Sequence, residues 1–285
     1  MAETLERLLS GPDILTVPGA HDALSARLAA RAGARAVYMS GFGVVGASFA
    51  LPDLGLVGPE QMTERVRALA AAIGPVPLIA DGDNGHGGPL NAARLTRAYE
   101  QAGAACIQLE DQVMPKRCGH MEGKEVVPLA EAAAKIRAAV DARSSPSFKI
   151  MARTDARATH GLDEALNRGE AFLKAGADIL FIEAPRDEAE LLRIAETFRG
   201  TPLVANMVED GKTPVLTPKI LQQMGYKIAL HPIPALLAAI KTMQKVYARV
   251  VAGGNDDPAA RVRFTEYNDI IGLPDYLARA ERYKK

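Results

Sequence analysis

Tryptophan is absent, and cysteine occurs only twice, at Cys106 and Cys118. Two thiols are too few for a disulfide framework, so the fold must rest on a buried core. Neither sign of charge is in excess, since 34 Lys and Arg balance 34 Asp and Glu, and no basic block stands out. That balance argues against a nucleic-acid partner. Long apolar runs are missing too: none reaches the roughly 18 residues of a membrane helix. The opening MAETLERLLSGPD is amphipathic and acidic, unlike a signal peptide. Together these absences predict a reduced, cytoplasmic protein with no nucleic-acid or membrane partner.

What the 285 residues do contain, at 48% hydrophobic, is enough apolar material for one large core. Eight short apolar, β-rich runs recur: ILTVPGA from Ile14, AVYMSG from Ala36, PLIADGD from Pro77, AACIQLED from Ala104, FKIMARTD from Phe148, ILFIEAP from Ile179, PLVANMVE from Pro202 and KIALHP from Lys227. Between them lie segments such as LNAARLTRAYEQAG, with apolar residues every three or four positions, as on a core-facing helix. RAGARAVYMS, QAGAACIQLE, KAGADILFIE and QMGYKIALHP form a weak repeat, and Gly33, Gly103, Gly176 and Gly225 fit helix C-terminal turns. Strands and helices alternating eight times predict a single (β/α)8 barrel over 1–285 rather than a doubly wound sheet. Residues 235–285 add a helical region beyond what an eighth unit needs, which suggests packing against another subunit.

Barrel enzymes build their sites at the C-terminal strand ends. Here those ends read Tyr38 to Gly41, Asp81-Gly-Asp83, Glu110-Asp111, Arg153-Thr-Asp155, Glu183, Asn206 and His231. So many charges converging on one mouth need partners or a metal. Asp81 and Asp83, two apart on a strand, are expected on one side, and hard oxygen donors suit Mg2+, with Mn2+ as the alternative. Ala92 stands where an EF-hand needs an acid, a glycine loop for phosphate would have to overcome the acidic pair, and a plain Asx-rich turn is the structural alternative. Glu110 is expected to orient a metal-bound water. The stretch MPKRCGHMEGK places Cys118 among Lys116, Arg117 and His120, and cations favour a thiolate. It follows the fourth strand, next to the expected metal, so Cys118 becomes a candidate acid at a loop able to close. Cys106 reads as a core thiol.

LPDLG at Leu51, DGDNGHGG, LEDQVMPKRCGH, IMARTDA, FIEAP and NMVEDGKTP follow in order, and over about 14–238 the chain resembles the isocitrate lyase and phosphoenolpyruvate mutase superfamily. KRCGH points to its lyase branch. The resemblance implies a metal-dependent barrel, a homotetramer built as a dimer of helix-swapped dimers, and a small dicarboxylate substrate. By motif it implies substrate contacts from Ser40, Gly41, Phe42, Asp53, Gly119, Arg153, Glu183 and Asn206, with Asp53 and Glu110 also near the metal held by Asp81 and Asp83.

The implied reaction is retro-aldol (Claisen-type) cleavage of a 2-hydroxy dicarboxylate resembling 2,3-dimethylmalate, giving a 2-oxo acid such as pyruvate and a carboxylate such as propionate. Cys118 would protonate the carbanion, Lys116, Arg117 and His120 would tune it, and Tyr38 would take the hydroxyl proton. Leu237 stands where 2-methylisocitrate lyases resemble one another in carrying an arginine, which disfavours a tricarboxylate. Pro232 stands where oxaloacetate hydrolases carry a serine. Alternatives are 2-methylisocitrate or isocitrate cleavage, carboxyphosphonoenolpyruvate phosphonomutase chemistry, oxaloacetate hydrolysis or decarboxylation, and a catalytically silent barrel acting as a binding protein.

Overall fold

The computed structural model describes residues 4–117, 123–209, 211–255 and 257–284. Its contacts divide the chain into two compact units, 1–234 and 235–285. The first contains β1 (Leu15–Ala20), β2 (Val37–Met39), β3 (Leu78–Asp81), β4 (Cys106–Glu110), β5 (Lys149–Thr154), β6 (Ile179–Ile182), β7 (Val204–Asn206) and β8 (Ile228–His231). Each falls inside one of the eight apolar runs. All pair in parallel in the order β6-β5-β4-β3-β2-β1-β8-β7, and a bridge from Leu180 to Leu203 nearly closes the (β/α)8 barrel.

Side-chain alternation along the strands separates two cores. Val37 and Met39, Leu78 and Ala80, Ile107 and Leu109, and Ile150 and Ala152 join the outer layer with the helices. Tyr38, Ile79, Cys106, Met151 and Phe181 fill the interior. Leu5 and Leu8 of the helix Leu5–Ser10 join that inner cluster, and Lys149, at the start of β5, pairs with Glu6 at 2.9 Å. The first helix therefore stoppers the N-terminal end, leaving the C-terminal end to chemistry. Gly33, Gly103, Gly176 and Gly225 have φ of 93°, 98°, 97° and 109°, the left-handed turns expected before β2, β4, β6 and β8.

In the second unit, the helices Phe264–Ile271 and Leu273–Arg282 follow the long helix Pro234–Val251, and Val251, Phe264 and Tyr276 are exposed. Among the described residues, no helix is long and apolar enough to cross a membrane.

Candidate active site

Period two carries the polar residues inward as well as the apolar ones. Asp81 pairs in register with Gln108, and Glu110 with Arg153, so neighbouring strands deliver carboxylate, amide and guanidinium to one level of the barrel. Glu183 follows β6 and Asn206 ends β7. A cavity at this level is lined by Tyr38, Ser40, Phe42, Asp53, Asp81, Glu110, Lys116, Arg117, Arg153, Glu183 and Asn206 among others. Cys118, Gly119 and His120 lie outside the described residues.

Asp81 is the hub. Its Oδ1 accepts from Gln108 Nε2 at 3.2 Å and from the Asp83 amide at 3.1 Å, and its Oδ2 accepts from the Gly41 amide at 3.2 Å. A Cβ at Gly41 would lie 2.7 Å from that Oδ2, so only glycine lets the helix Gly41–Phe49 come this close. Gly41 thus acts on the carboxylate, while Ser40 caps the same helix by accepting from the Gly43 amide at 3.2 Å. Tyr38 donates to Gln108 Oε1 at 3.0 Å.

Asp83 reaches the site by a different route from the strand spacing expected of it. Strand β3 ends at Asp81, and Asp83 sits in a turn with φ of 49°. Its carboxylate, with that of Asp53, flanks the ammonium of Lys116, each at 2.5 Å; these are close ion pairs whose angles depart from hydrogen-bond geometry. The charge of Lys116, expected to tune Cys118, is taken up by these two acids. Arg117 is held by its backbone: its amide donates to Gln112 Oε1 at 2.9 Å, and its carbonyl accepts from Gln112 Nε2 at 2.8 Å.

Arg153 stands over the Phe181 ring, 5.3 Å from the centroid, among three acids. Nε and Nη2 donate to Asp155 Oδ2 and Oδ1 at 3.0 and 3.1 Å. Glu110 and Glu183 lie 3.5 and 3.4 Å away, and Asn206 Nδ2 reaches Glu183 Oε2 at 3.3 Å. Gln108, Phe181 and Lys124 are parts of the site that the sequence reading does not reach, and Asp155, read there only as a strand ending, proves to be the partner of Arg153. Gln108 could have been found, because it is the polar residue two before Glu110 on the same strand face.

The phosphoenolpyruvate phosphomutase family profile matches residues 5–251, most of the chain. The chain belongs to that family. Among its relatives, 2,3-dimethylmalate lyase of Eubacterium barkeri is 48% identical, with 95% of this chain and 94% of that one aligned. The 2-methylisocitrate lyase of Bacillus subtilis (strain 168) is 42% identical, over 98% and 91%. A crystal structure of 2,3-dimethylmalate lyase, a PEP mutase/isocitrate lyase superfamily member, superposes with a TM-score of 0.94 at 33% identity, over 98% and 94%. A phosphonopyruvate hydrolase solved with oxalate and Mg2+ gives 0.86 at 32%, over 99% and 98%. This phosphoenolpyruvate phosphomutase family member is therefore an enzyme among lyases and mutases.

Burial sets the electrostatics of the family member's site. Asp53, Asp81, Asp83, Glu110, Asp155 and Glu183 are buried, and so are Lys116, Lys124 and Arg153. Six carboxylates facing three cations leave negative charge uncompensated. Burial, then the charge of Asp83, pushes the Asp81 carboxyl up to about 6. Burial also raises Asp53 and, well above the usual range, Glu110, whose Oε1 finds no hydrogen-bond partner among the described residues. For Asp83 burial works in the same direction, but the Lys116 ammonium outweighs it and holds the carboxyl low. Burial pushes Tyr38 far above the ordinary phenol range, with Asp81 adding to it, and likewise raises the core thiol Cys106.

A raised carboxyl stabilises the fold below its unfolded pKa and loses that contribution as pH climbs through the folded one. Metal-free protein should therefore lose stability relative to Asp81→Asn between pH 4 and 7, by on the order of 3 kcal/mol from Asp81. Denaturant titrations of both proteins across that range measure the difference, and parallel curves would refute the burial argument.

Proposed function

We propose that the protein is a Mg2+-dependent carbon–carbon lyase that cleaves a 2-hydroxy dicarboxylate of the 2,3-dimethylmalate type into pyruvate and propionate. The observation that carries this reading is the excess of buried carboxylate around one cavity beside an arginine whose Nη1 donates to no described residue. Such a site calls for a cation and an anion together. Asp81 fits as the direct ligand of a hard cation, since it lines the cavity and its proton affinity is raised; Asp53, Asp83 and Glu110 surround it, the first two already paired with Lys116. Mg2+ bound there would stabilise negative charge on the substrate oxygen, and Mn2+ shares its preference for such ligands.

The remaining work falls to the chain. Arg153, gripped by Asp155, offers its Nη1 end to a substrate carboxylate. Glu110, held ionised if a bound cation offsets its burial, would take the hydroxyl proton at Oε1, which has no hydrogen-bond partner among the described residues; Tyr38, kept protonated and donating to Gln108, serves as a fixed donor rather than the base. The carbon–carbon bond then breaks with its electron pair moving to the carbon beside the departing carboxylate, and Cys118 delivers a proton there. No oxidant or co-substrate is needed. Pro232 lines the cavity and has no hydroxyl to offer, which disfavours oxaloacetate hydrolysis. The exposed Val251, Phe264 and Tyr276 suit burial by another subunit in a homotetramer.

A panel of 2-hydroxy dicarboxylates, oxaloacetate and carboxyphosphonoenolpyruvate, assayed with Mg2+, tests the reading. Pyruvate from 2,3-dimethylmalate, abolished by chelation, is expected. Glyoxylate from isocitrate, oxalate from oxaloacetate or a phosphonate as the main product would replace it.

A further inference from the structure

Asp155 is held on every side. Its amide donates to Asp111 Oδ1 at 2.9 Å, and Asp111 Oδ2 in turn accepts from Thr154 Oγ1 at 2.6 Å and Arg168 Nη1 at 3.0 Å. The carboxylate so fixed carries two cations at once: Oδ2 takes Arg153 Nε, and Oδ1 takes both Arg153 Nη2 and Lys124 Nζ, the last at 2.6 Å. Lys124 itself is buried. A carboxylate paired bidentately with one arginine would cancel most of that arginine's field. A second cation on the same oxygen offsets this, because its own positive field adds to that of the guanidinium.

We propose that Lys124 is a positioning residue which, by sharing the Asp155 carboxylate, leaves Arg153 enough positive field at its Nη1 end to bind the substrate carboxylate. The assignment rests on the proposed role of Arg153 and deepens it: affinity for the anion is set by a lysine that need not touch it. Glu110 and Glu183 lie close to the same guanidinium, so without Lys124 three acids would face Arg153 with one cation fewer to offset them.

Lys124→Gln keeps a hydrogen bond to Asp155 and removes the charge, whereas Lys124→Arg keeps the charge. In the presence of Mg2+, calorimetric titration with oxalate should show Lys124→Gln binding roughly tenfold more weakly than the native enzyme. KM for the cleaved dicarboxylate should rise by a similar factor with kcat within about threefold, and Lys124→Arg should restore both. A folded Lys124→Gln protein that binds oxalate like the native enzyme, or one that loses kcat with KM and oxalate affinity intact, overturns the proposal. Should no malate be cleaved, the lyase reading falls while these oxalate ratios still decide the role of Lys124.

Discussion

Cys118→Ser should lower turnover roughly 10²- to 10⁴-fold, the usual contribution of a positioned acid, while leaving 2-oxo acid binding nearly intact. The split is the informative part. Arg153 lines the cavity together with Asp53, Asp81 and Glu110, so an analogue of the released 2-oxo acid should still find its ligands. A serine hydroxyl holds its proton too tightly to replace a thiol donor. Single-turnover rates together with pyruvate affinity measure the two halves, and near-native turnover in the variant would remove Cys118 from the mechanism.

Lys116→Met should be the most damaging substitution for the fold itself. The ammonium is buried and is the only described cation within 4 Å of Asp53, while Asp83 otherwise meets only His86, at 3.8 Å. Removing one partner of a buried ion pair costs about 3–5 kcal/mol, because the remaining charge keeps its desolvation penalty. Asp83 has a lowered pKa, so its contribution is present above the usual carboxylate range and fades as pH drops through the folded value. The variant's deficit should accordingly be largest near neutral pH and shrink in strong acid. Guanidinium unfolding at several pH values tests this, and a loss under about 1 kcal/mol at pH 7 would contradict the buried pairing.

Much of this was legible in the sequence because a barrel converts a period of two into an address. Once β3, β4 and β5 were recognised as apolar runs, their last inward residues had to be Asp81, Glu110 and Arg153, and the structure places all three around one cavity. The glycine before every second strand could be read for the same local reason: a helix that must turn back needs a left-handed residue. What local pattern could not convey was partnership across distance. Lys116 binding Asp53, 63 positions away in the chain, and Lys124 sharing Asp155 depend on how loops fold back over the strand ends, and no periodicity encodes that. Asp83 shows the limit most clearly. A two-residue spacing puts Asp83 beside Asp81 only where β3 continues through it, whereas the strand stops at Asp81 and a left-handed turn redirects the side chain to Lys116.

In the proposed reaction, carbon–carbon cleavage leaves a carbanion which the enzyme protonates. Incubating the enzyme with Mg2+ and 2,3-dimethylmalate in D2O, and reading products by NMR and mass spectrometry, addresses it directly. One pyruvate per propionate, with a single deuterium at C2 of the propionate, is the expected result. Intact substrate after many enzyme equivalents of time and metal, or products in which no carbon–carbon bond has broken, would contradict it.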